Sequence, residues 1–167
     1  MTQISINYAR VLYELNIPKK DVDYSKELFD ATEKLYESLV SPVVSFQEKA
    51  AVIDRLFPET MRSFFKVLCR NGSVPYIHEI FEAYKQYTYE QENVLDAKLF
   101  YVQMPEENQI IRLKEYLMKR FHKKGIEFEY IHAPELIAGF VIEAAGVRID
   151  ESIQGRLKRM QQKLVKR

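Results

Sequence analysis

The chain has a single cysteine, no tryptophan and only five glycines among its 167 residues. One cysteine, Cys69, excludes an internal disulfide and a zinc site built from several thiolates. There is no stretch of about 18 apolar residues and no charged-then-apolar signal at the start, so we expect a cytosolic chain without a spanning helix. Neither sign of charge dominates, because 25 basic residues face 24 acidic ones. This balance excludes a protein that binds a polyanion over its whole length.

Glycine is absent from the first 71 residues, and this absence predicts the architecture of that half. Tight hairpins usually need a residue with positive φ, whereas helices need one only at their ends. The charge changes at a similar place: residues 1–92 carry 11 basic and 14 acidic side chains, and residues 93–167 carry 14 and 10. We therefore predict two domains, a helical bundle at 1–92 and a second domain at 93–167.

The first domain shows apolar residues at helical spacing, separated by proline and by capping residues. The predicted helices are 4–16, a single helix from a cap at Asp21 or Asp23 to just before Pro42, one after Ser45, one from Pro58 to Arg70, and one after Ser73 that continues to about 92. Ser45 and Glu48 form a capping box, and the helix behind it is predicted to bury Val52, Ile53 and Leu56. The set predicts an antiparallel helical bundle.

The second domain changes to the alternating pattern of strands. Strands are predicted at 94–102, 126–130, 136–143 and 147–150, the last two around a turn at Gly146. A helix opens at Pro105 and closes at Gly125, and a final helix is capped by Ser152. The order predicts a small α+β domain with a short β-sheet, so that the whole chain is α+β.

The residues indicate no catalytic or metal chemistry. The three histidines stand apart without ligand spacing, and no nucleotide-binding or hydrolase motif occurs. Paired carboxylates such as Glu106-Glu107 lie at helix starts, where the helix dipole explains them. We therefore expect no enzyme, no metal and no cofactor.

The last twelve residues hold six basic side chains and no acidic one. They are consistent with binding to phosphate or to an acidic surface. They are also consistent with a final helix whose charges complement its own dipole while Leu157, Met160 and Leu164 pack on the sheet. Aromatic residues, which interleave with basic ones in single-strand binders, are missing here.

Two segments near the end resemble a known family signature. Residues 136–142, LIAGFVI, and 149–157, IDESIQGRL, are similar to the L-I-G-G-x-x-I and I-D-G-S-x-x-G-R-L pattern of the F-type ATP synthase delta subunit, called OSCP in mitochondria. The matching signature residues are Gly139, Asp150, Ser152, Gly155, Arg156 and Leu157. Gly155 would lie inside a helix, so we expect backbone to pack closely on backbone there.

Further landmarks of this family follow in order along the chain. Tyr8-Ala9 with Leu12 resembles its opening Y-A-x-A-L helix, and residues 65–72, FKVLCRNG, resemble its F-L-x-x-L-x-x-N-G-R stretch. Ser41-Pro42 and Glu48-Lys49 resemble its N-P and E-K segment.

The resemblance implies a non-catalytic stator subunit in the peripheral stalk, present as a single copy at the cytoplasmic face of a bacterial membrane without insertion into it. It implies that the first domain binds the N-terminal segments of the alpha subunits and that the second holds the C-terminal ends of the b subunits. The implied alpha-binding residues are Tyr8, Val11, Leu12, Phe64, Val67 and Leu68, and the b-binding candidates are Leu157, Met160 and Leu164. The alternative for the six is a place in the core, above all for Leu12 and Phe64, whereas Tyr8, Val11 and Val67 match family positions that face the partner. The alternatives are a helical adaptor that binds nucleic acid or an acidic partner through its basic end, and a small helical enzyme.

Overall fold

The computed structural model describes residues 2–165, with side chains through residue 162. It divides the chain into two compact units, Met1–Thr88 and Tyr89–Arg167. The fold class is α+β, as predicted, with helices first and a mixed sheet with two further helices after them.

The first unit is built from helices whose bounds follow the sequence signals closely. They are α1 (Gln3–Glu14), α2 (Lys19–Ala31), α3 (Glu33–Val40), α4 (Phe46–Leu56), α5 (Glu59–Arg70), a 3₁₀ turn (Val74–Tyr76) and α6 (Ile77–Glu92), the last of which continues into the second unit. Asn71-Gly72 ends α5 as predicted, with Gly72 at φ +62°.

The prediction of one helix from Asp21 or Asp23 to Pro42 is wrong. The backbone leaves the helical region at Thr32, with φ −134° and ψ 86°, and α3 begins at the next residue. The buried row of α2 ends at Phe29, and a continuous helix would not bring Leu35 onto that row, because six residues turn it through about 240°. The break at Thr32 lets both residues reach the core.

The core of the first unit is centred on three aromatic rings. The centroids of Phe57 and Phe65 lie 4.2 Å apart, and that of Phe29 lies 5.4 Å from Phe57 and 5.6 Å from Phe65. Ile53 on α4 is fully buried as predicted, but Leu56 is exposed, and the next residue, Phe57, enters the core in its place.

The second unit is a four-stranded mixed sheet with two helices. Its elements are β1 (Val94–Tyr101), α7 (Glu107–Phe121), β2 (Gly125–His132), a 3₁₀ turn (Pro134–Leu136), β3 (Phe140–Ala144), β4 (Val147–Asp150) and α8 (Ile153–Val165). The strand order is β2-β1-β3-β4. β1 and β2 are parallel, which requires the crossover through α7, whereas β3 and β4 form an antiparallel hairpin. Ala145 and Gly146 both have positive φ, as a two-residue hairpin turn of type I′ needs.

One face of the sheet packs in the core of this unit, and the opposite face carries a row of charged side chains across neighbouring strands. Leu95, Leu99 and Phe128 pack with the fully buried Leu117 of α7. On the other side of β1, Lys98 pairs in register with Glu129 of β2 and Glu143 of β3. The alternation predicted for residues 126–130 is found in β2, where Ile126 and Phe128 are buried and Glu127 and Glu129 are exposed.

Two boundaries in this unit differ from the predictions. α7 ends at Phe121 because His122 adopts the left-handed conformation with φ 53°, whereas Gly125 is not its cap and instead pairs with Val94 as the start of β2. The strand predicted from 136 begins only at Phe140, because Ile137 and Gly139 have positive φ, which a strand does not accommodate.

Candidate functional site: two exposed apolar surfaces

The first candidate surface lies on α1. Ser5, Ala9 and Leu12 form its buried row. A second row of apolar residues at positions i, i+4, i+7 and i+11 stays accessible to solvent: Ile4, Tyr8, Val11 and Leu15. The row rises by about 16 Å from end to end, which equals three turns of a helix. We call these four residues together with Val67 of α5 the α1–α5 surface.

Tyr8 connects this row to α5. Asn71 Nδ2 donates a hydrogen bond to Tyr8 Oη at 2.9 Å, and the rings of Tyr8 and Phe64 meet edge to face at 6.1 Å. Val67 follows Phe64 by three residues and precedes Asn71 by four, so it lies on the same face of α5 as both contacts. A depression of about 330 Å³ lined by Ile4, Tyr8 and Val11 adjoins this region.

Burial divides the six residues that the resemblance assigns to alpha binding. Val11 is 45% exposed and Val67 46% exposed, and Tyr8 is half-buried. Leu12, Phe64 and Leu68 are at most 4% exposed and belong to the core. On α5 the accessible surface therefore includes only Val67 of the assigned residues. On α1 it extends beyond the assigned residues to the exposed Ile4 and Leu15. The helical spacing of apolar residues in the sequence could have identified Ile4 and Leu15 as part of this surface.

The signature glycines lie where the sheet meets the start of α8. A Cβ on Gly139, which has φ +89°, would approach the carbonyl oxygen of Glu151 to 2.6 Å and Cα of Ser152 to 2.8 Å. A Cβ on Gly155 would approach Cγ of Asp150 to 2.5 Å, and the other two nearest atoms are the oxygens of the same carboxylate. The expected close packing of backbone on backbone is thus wrong for Gly155, which makes room for a side chain, and describes Gly139 instead.

The Asp150 carboxylate organises the first turn of α8. Its Oδ1 accepts hydrogen bonds from Ser152 N at 2.9 Å and from Ser152 Oγ at 2.6 Å, and Ser152 Oγ accepts one from Gly155 N at 3.0 Å. Ser152 therefore caps α8 as predicted. The hydrogen bond from the Ser152 side chain holds the pKa of Asp150 below its ordinary value, and burial opposes that shift. Asp150, Ser152 and Gly155 therefore connect β4 to the start of α8 and have a structural role.

The second candidate surface is an apolar row on α8, a helix in which residues 156–162 are all exposed. Ile153, Leu157 and Met160 follow helical spacing and are about half exposed or more. The alternative in which Leu157 and Met160 pack on the sheet is wrong for these two residues, and the side chain of Leu164 lies outside the described residues. Arg156 reaches Glu151 at 3.4 Å but stays largely exposed.

Two further features bear on function. Within residues 2–165 no group of three or more histidine, cysteine or acidic side chains is arranged to hold a metal ion. Over the same residues, no helix combines the length and the apolar composition needed to cross a bilayer.

Comparison with known proteins gives one consistent result. The profile of the ATP synthase delta (OSCP) subunit matches residues 4–164. The ATP synthase subunit delta of Thermotoga neapolitana is 30% identical over all of this chain and 97% of its own length, and that of Clostridioides difficile is 26% identical over 96% and 95%. A chain in the cryo-EM structure of the Toxoplasma gondii mitochondrial ATP synthase hexamer has the same fold, with a TM-score of 0.66 and 17% identity over 98% of both chains.

Proposed function

The chain belongs to the ATP synthase delta (OSCP) subunit family, and from this premise we propose that it joins the catalytic head of the enzyme to the stalk formed by the b subunits. As a member of that family it is a non-catalytic, structural subunit of the peripheral stalk of an F-type ATP synthase. The finer proposal assigns one partner to each unit. The helical unit binds N-terminal segments of the alpha subunits, and the α+β unit holds the C-terminal ends of the b subunits. A single copy acts at the cytoplasmic face of the membrane.

The observation that carries the proposal is the exposed apolar row on α1. An amphipathic helix docks into a surface of apolar side chains spaced along one helix face, and such side chains lower solubility when nothing covers them. The α1 part of the α1–α5 surface has the length of three turns and Val67 adds to it from α5, which suits one partner helix. Tyr8 is held at its hydroxyl by Asn71 and at its ring by Phe64, so less conformational entropy is lost when a partner packs against the ring.

The α1–α5 surface consists of apolar and aromatic side chains, so the role proposed for it is mechanical and not chemical. Torque on a stator is resisted by binding contacts and by rigid elements, not by bond chemistry. The helical unit supplies rigidity through a core that includes the buried Leu12, Phe64 and Leu68. Force on a docked helix would thus pass into packed side chains.

The test is a titration of the full chain with a peptide from the N-terminal segment of the alpha subunits, comparing Val67→Asp with Val43→Asp. Both valines are exposed, Val67 by 46% and Val43 by 91%, and Val43 is in the loop before α4 and is not one of the residues of the α1–α5 surface. Burying an unpaired carboxylate against a partner costs several kcal/mol, so Val67→Asp should weaken binding by about 100-fold or more. Val43→Asp should bind as the wild type does.

Thermal unfolding of both free variants completes this test. Because neither valine is in the core, both melting temperatures should stay close to that of the wild type. A large loss of melting temperature for Val67→Asp would place Val67 in the core. Wild-type affinity of that variant would remove it from the interface and contradict the proposed surface.

A further inference from the structure

The outer edge of β2 is open. β2 is the first strand of the sheet in the order β2-β1-β3-β4, so it is hydrogen-bonded to β1 on one side only. Among residues 2–165, no other segment forms a backbone hydrogen bond with the opposite side of β2. An edge strand of this kind presents a row of N–H and C=O groups with which a further strand can pair.

β2 lacks the features that usually protect such an edge. Proteins keep edge strands short, or interrupt them with proline, lysine or a bulge. β4, at the other edge, has only four residues. β2 has eight, contains neither proline nor lysine, and stays in register with β1 without a break from Gly125 to His132. At about 3.3 Å per residue the open edge is about 26 Å long, which is enough for a strand of ordinary length.

The two faces of β2 differ in chemistry. Ile126 and Phe128 belong to the core, and the ring of Tyr130, which is 41% exposed, continues their row with its centroid 6.0 Å from that of Phe128. Glu127 and Glu129 are exposed on the other face. A strand added to β2 would therefore place every second side chain beside an apolar row and the others beside two carboxylates.

The charges on this face favour a basic partner. Lys98 Nζ approaches the carboxylate of Glu129 at 3.7 Å, whereas the residue in register with Glu127 on β1 is Asp96, a second acid. A basic side chain on an added strand would give Glu127 the opposite charge that β1 does not supply in register. A second copy of β2 would not, because pairing of two such edges places glutamates beside glutamates.

We propose that the open edge of β2 is a docking site for an extended segment of a partner protein in which lysine or arginine alternates with apolar residues. The segment adds to the sheet as a fifth strand, with its basic side chains beside Glu127 and Glu129 and its apolar side chains beside Phe128 and Tyr130. Backbone hydrogen bonds supply affinity, and the alternation of side chains supplies specificity and register. The inference goes beyond the proposed function, because it uses neither the α1–α5 surface nor α8.

The experiment titrates the full chain with a peptide of alternating lysine and valine that is as long as β2. Binding is followed by amide hydrogen exchange of residues 125–132. The amides that point away from β1 should exchange fast in the free chain and become protected when the peptide adds as a strand. Two control peptides should bind about tenfold more weakly or worse. One has the same residues arranged as a lysine block and a valine block, and the other alternates glutamate with valine.

A pair of variants tests the role of Glu127. Glu127→Lys should weaken binding of the alternating lysine-valine peptide about fivefold or more, and the loss should shrink at high salt. The matched control is Glu115→Lys, which reverses an exposed charge on α7 and so changes the net charge equally, and it should bind as the wild type does. Because Glu127 is exposed and has Asp96 in register, Glu127→Lys should not lower the melting temperature.

Several results would overturn the proposal. The first is the absence of binding by the alternating lysine-valine peptide. Binding that leaves the β2 amides unprotected, or equal binding of the block peptide, would show attraction by charge without strand addition. Equal binding by Glu127→Lys would remove the glutamate from the site. Protection of the same amides that arises in the free chain as its concentration increases would assign the edge to a second copy.

Discussion

Gly155→Ala should destabilise the protein although it lies in a helix. In a helix interior, replacing glycine by alanine ordinarily stabilises by about 1 kcal/mol, and in the first turn, where Gly155 lies, by less. Here the added Cβ would lie 2.5 Å from Cγ of Asp150, so the carboxylate must move away from Ser152. Each hydrogen bond to a charged group contributes about 1.5–3 kcal/mol, less where solvent reaches the carboxylate, and two such bonds from Ser152 are at stake. The net loss should be about 1–2 kcal/mol.

The assay is urea unfolding of the full chain combined with amide hydrogen exchange of β4 and α8, which reports on this joint alone. The control repeats the substitution in an Asp150→Ala background. There the three atoms nearest to the new Cβ are gone, so Gly155→Ala should stabilise by roughly 0.5–1 kcal/mol. Equal effects in the two backgrounds would refute the reasoning, since they would mean that Asp150 is not what requires glycine at this position.

Three further predictions concern local features. Ser45→Ala should cost about 1 kcal/mol in urea unfolding, because it removes the acceptor for Glu48 N in the capping box, and an unchanged midpoint would contradict that role. His122→Gly should stabilise by about 0.5–1 kcal/mol, because φ 53° suits glycine, and a loss of stability would show that the imidazole has a packing role. The pKa of Asp150 is lowered in the folded state, so its contribution is complete above the ordinary value of 3.8 and is lost as the pH falls through the lower folded pKa. The stability difference between the wild type and Asp150→Asn should therefore shrink below about pH 4, and a difference independent of pH would contradict the shift.

Local signals in the sequence predicted most of the fold. The capping box of Ser45 and Glu48, the stop at Gly72 and the turn at Gly146 depend on residues within a few positions, and each is found as predicted. The ends of α2 and α7 were missed because the expected breaks were proline and glycine, whereas the helices end at Thr32 and His122. Their conformations are set by packing of the neighbouring segments.

For the candidate surfaces, the sequence does not predict which face of a helix is exposed. Val67 and Leu68 are adjacent apolar residues on α5, and the sequence does not separate the exposed one from the buried one until the neighbours of the helix are known. The reason for Gly155 likewise depends on Asp150, whose side chain reaches it only through the fold of β4 onto α8. Helical spacing predicts that two faces exist, whereas tertiary contacts decide which of them is covered.

The most direct measurement of the central claim is the purification of the tagged full chain from detergent-solubilised membranes of its own organism. We expect the alpha and b subunits of the ATP synthase to be recovered with it, with one copy of the chain per complex. We also expect Val67→Asp to release the alpha subunits and keep the b subunits. Recovery of the chain without either subunit would contradict its role as the link between head and stalk.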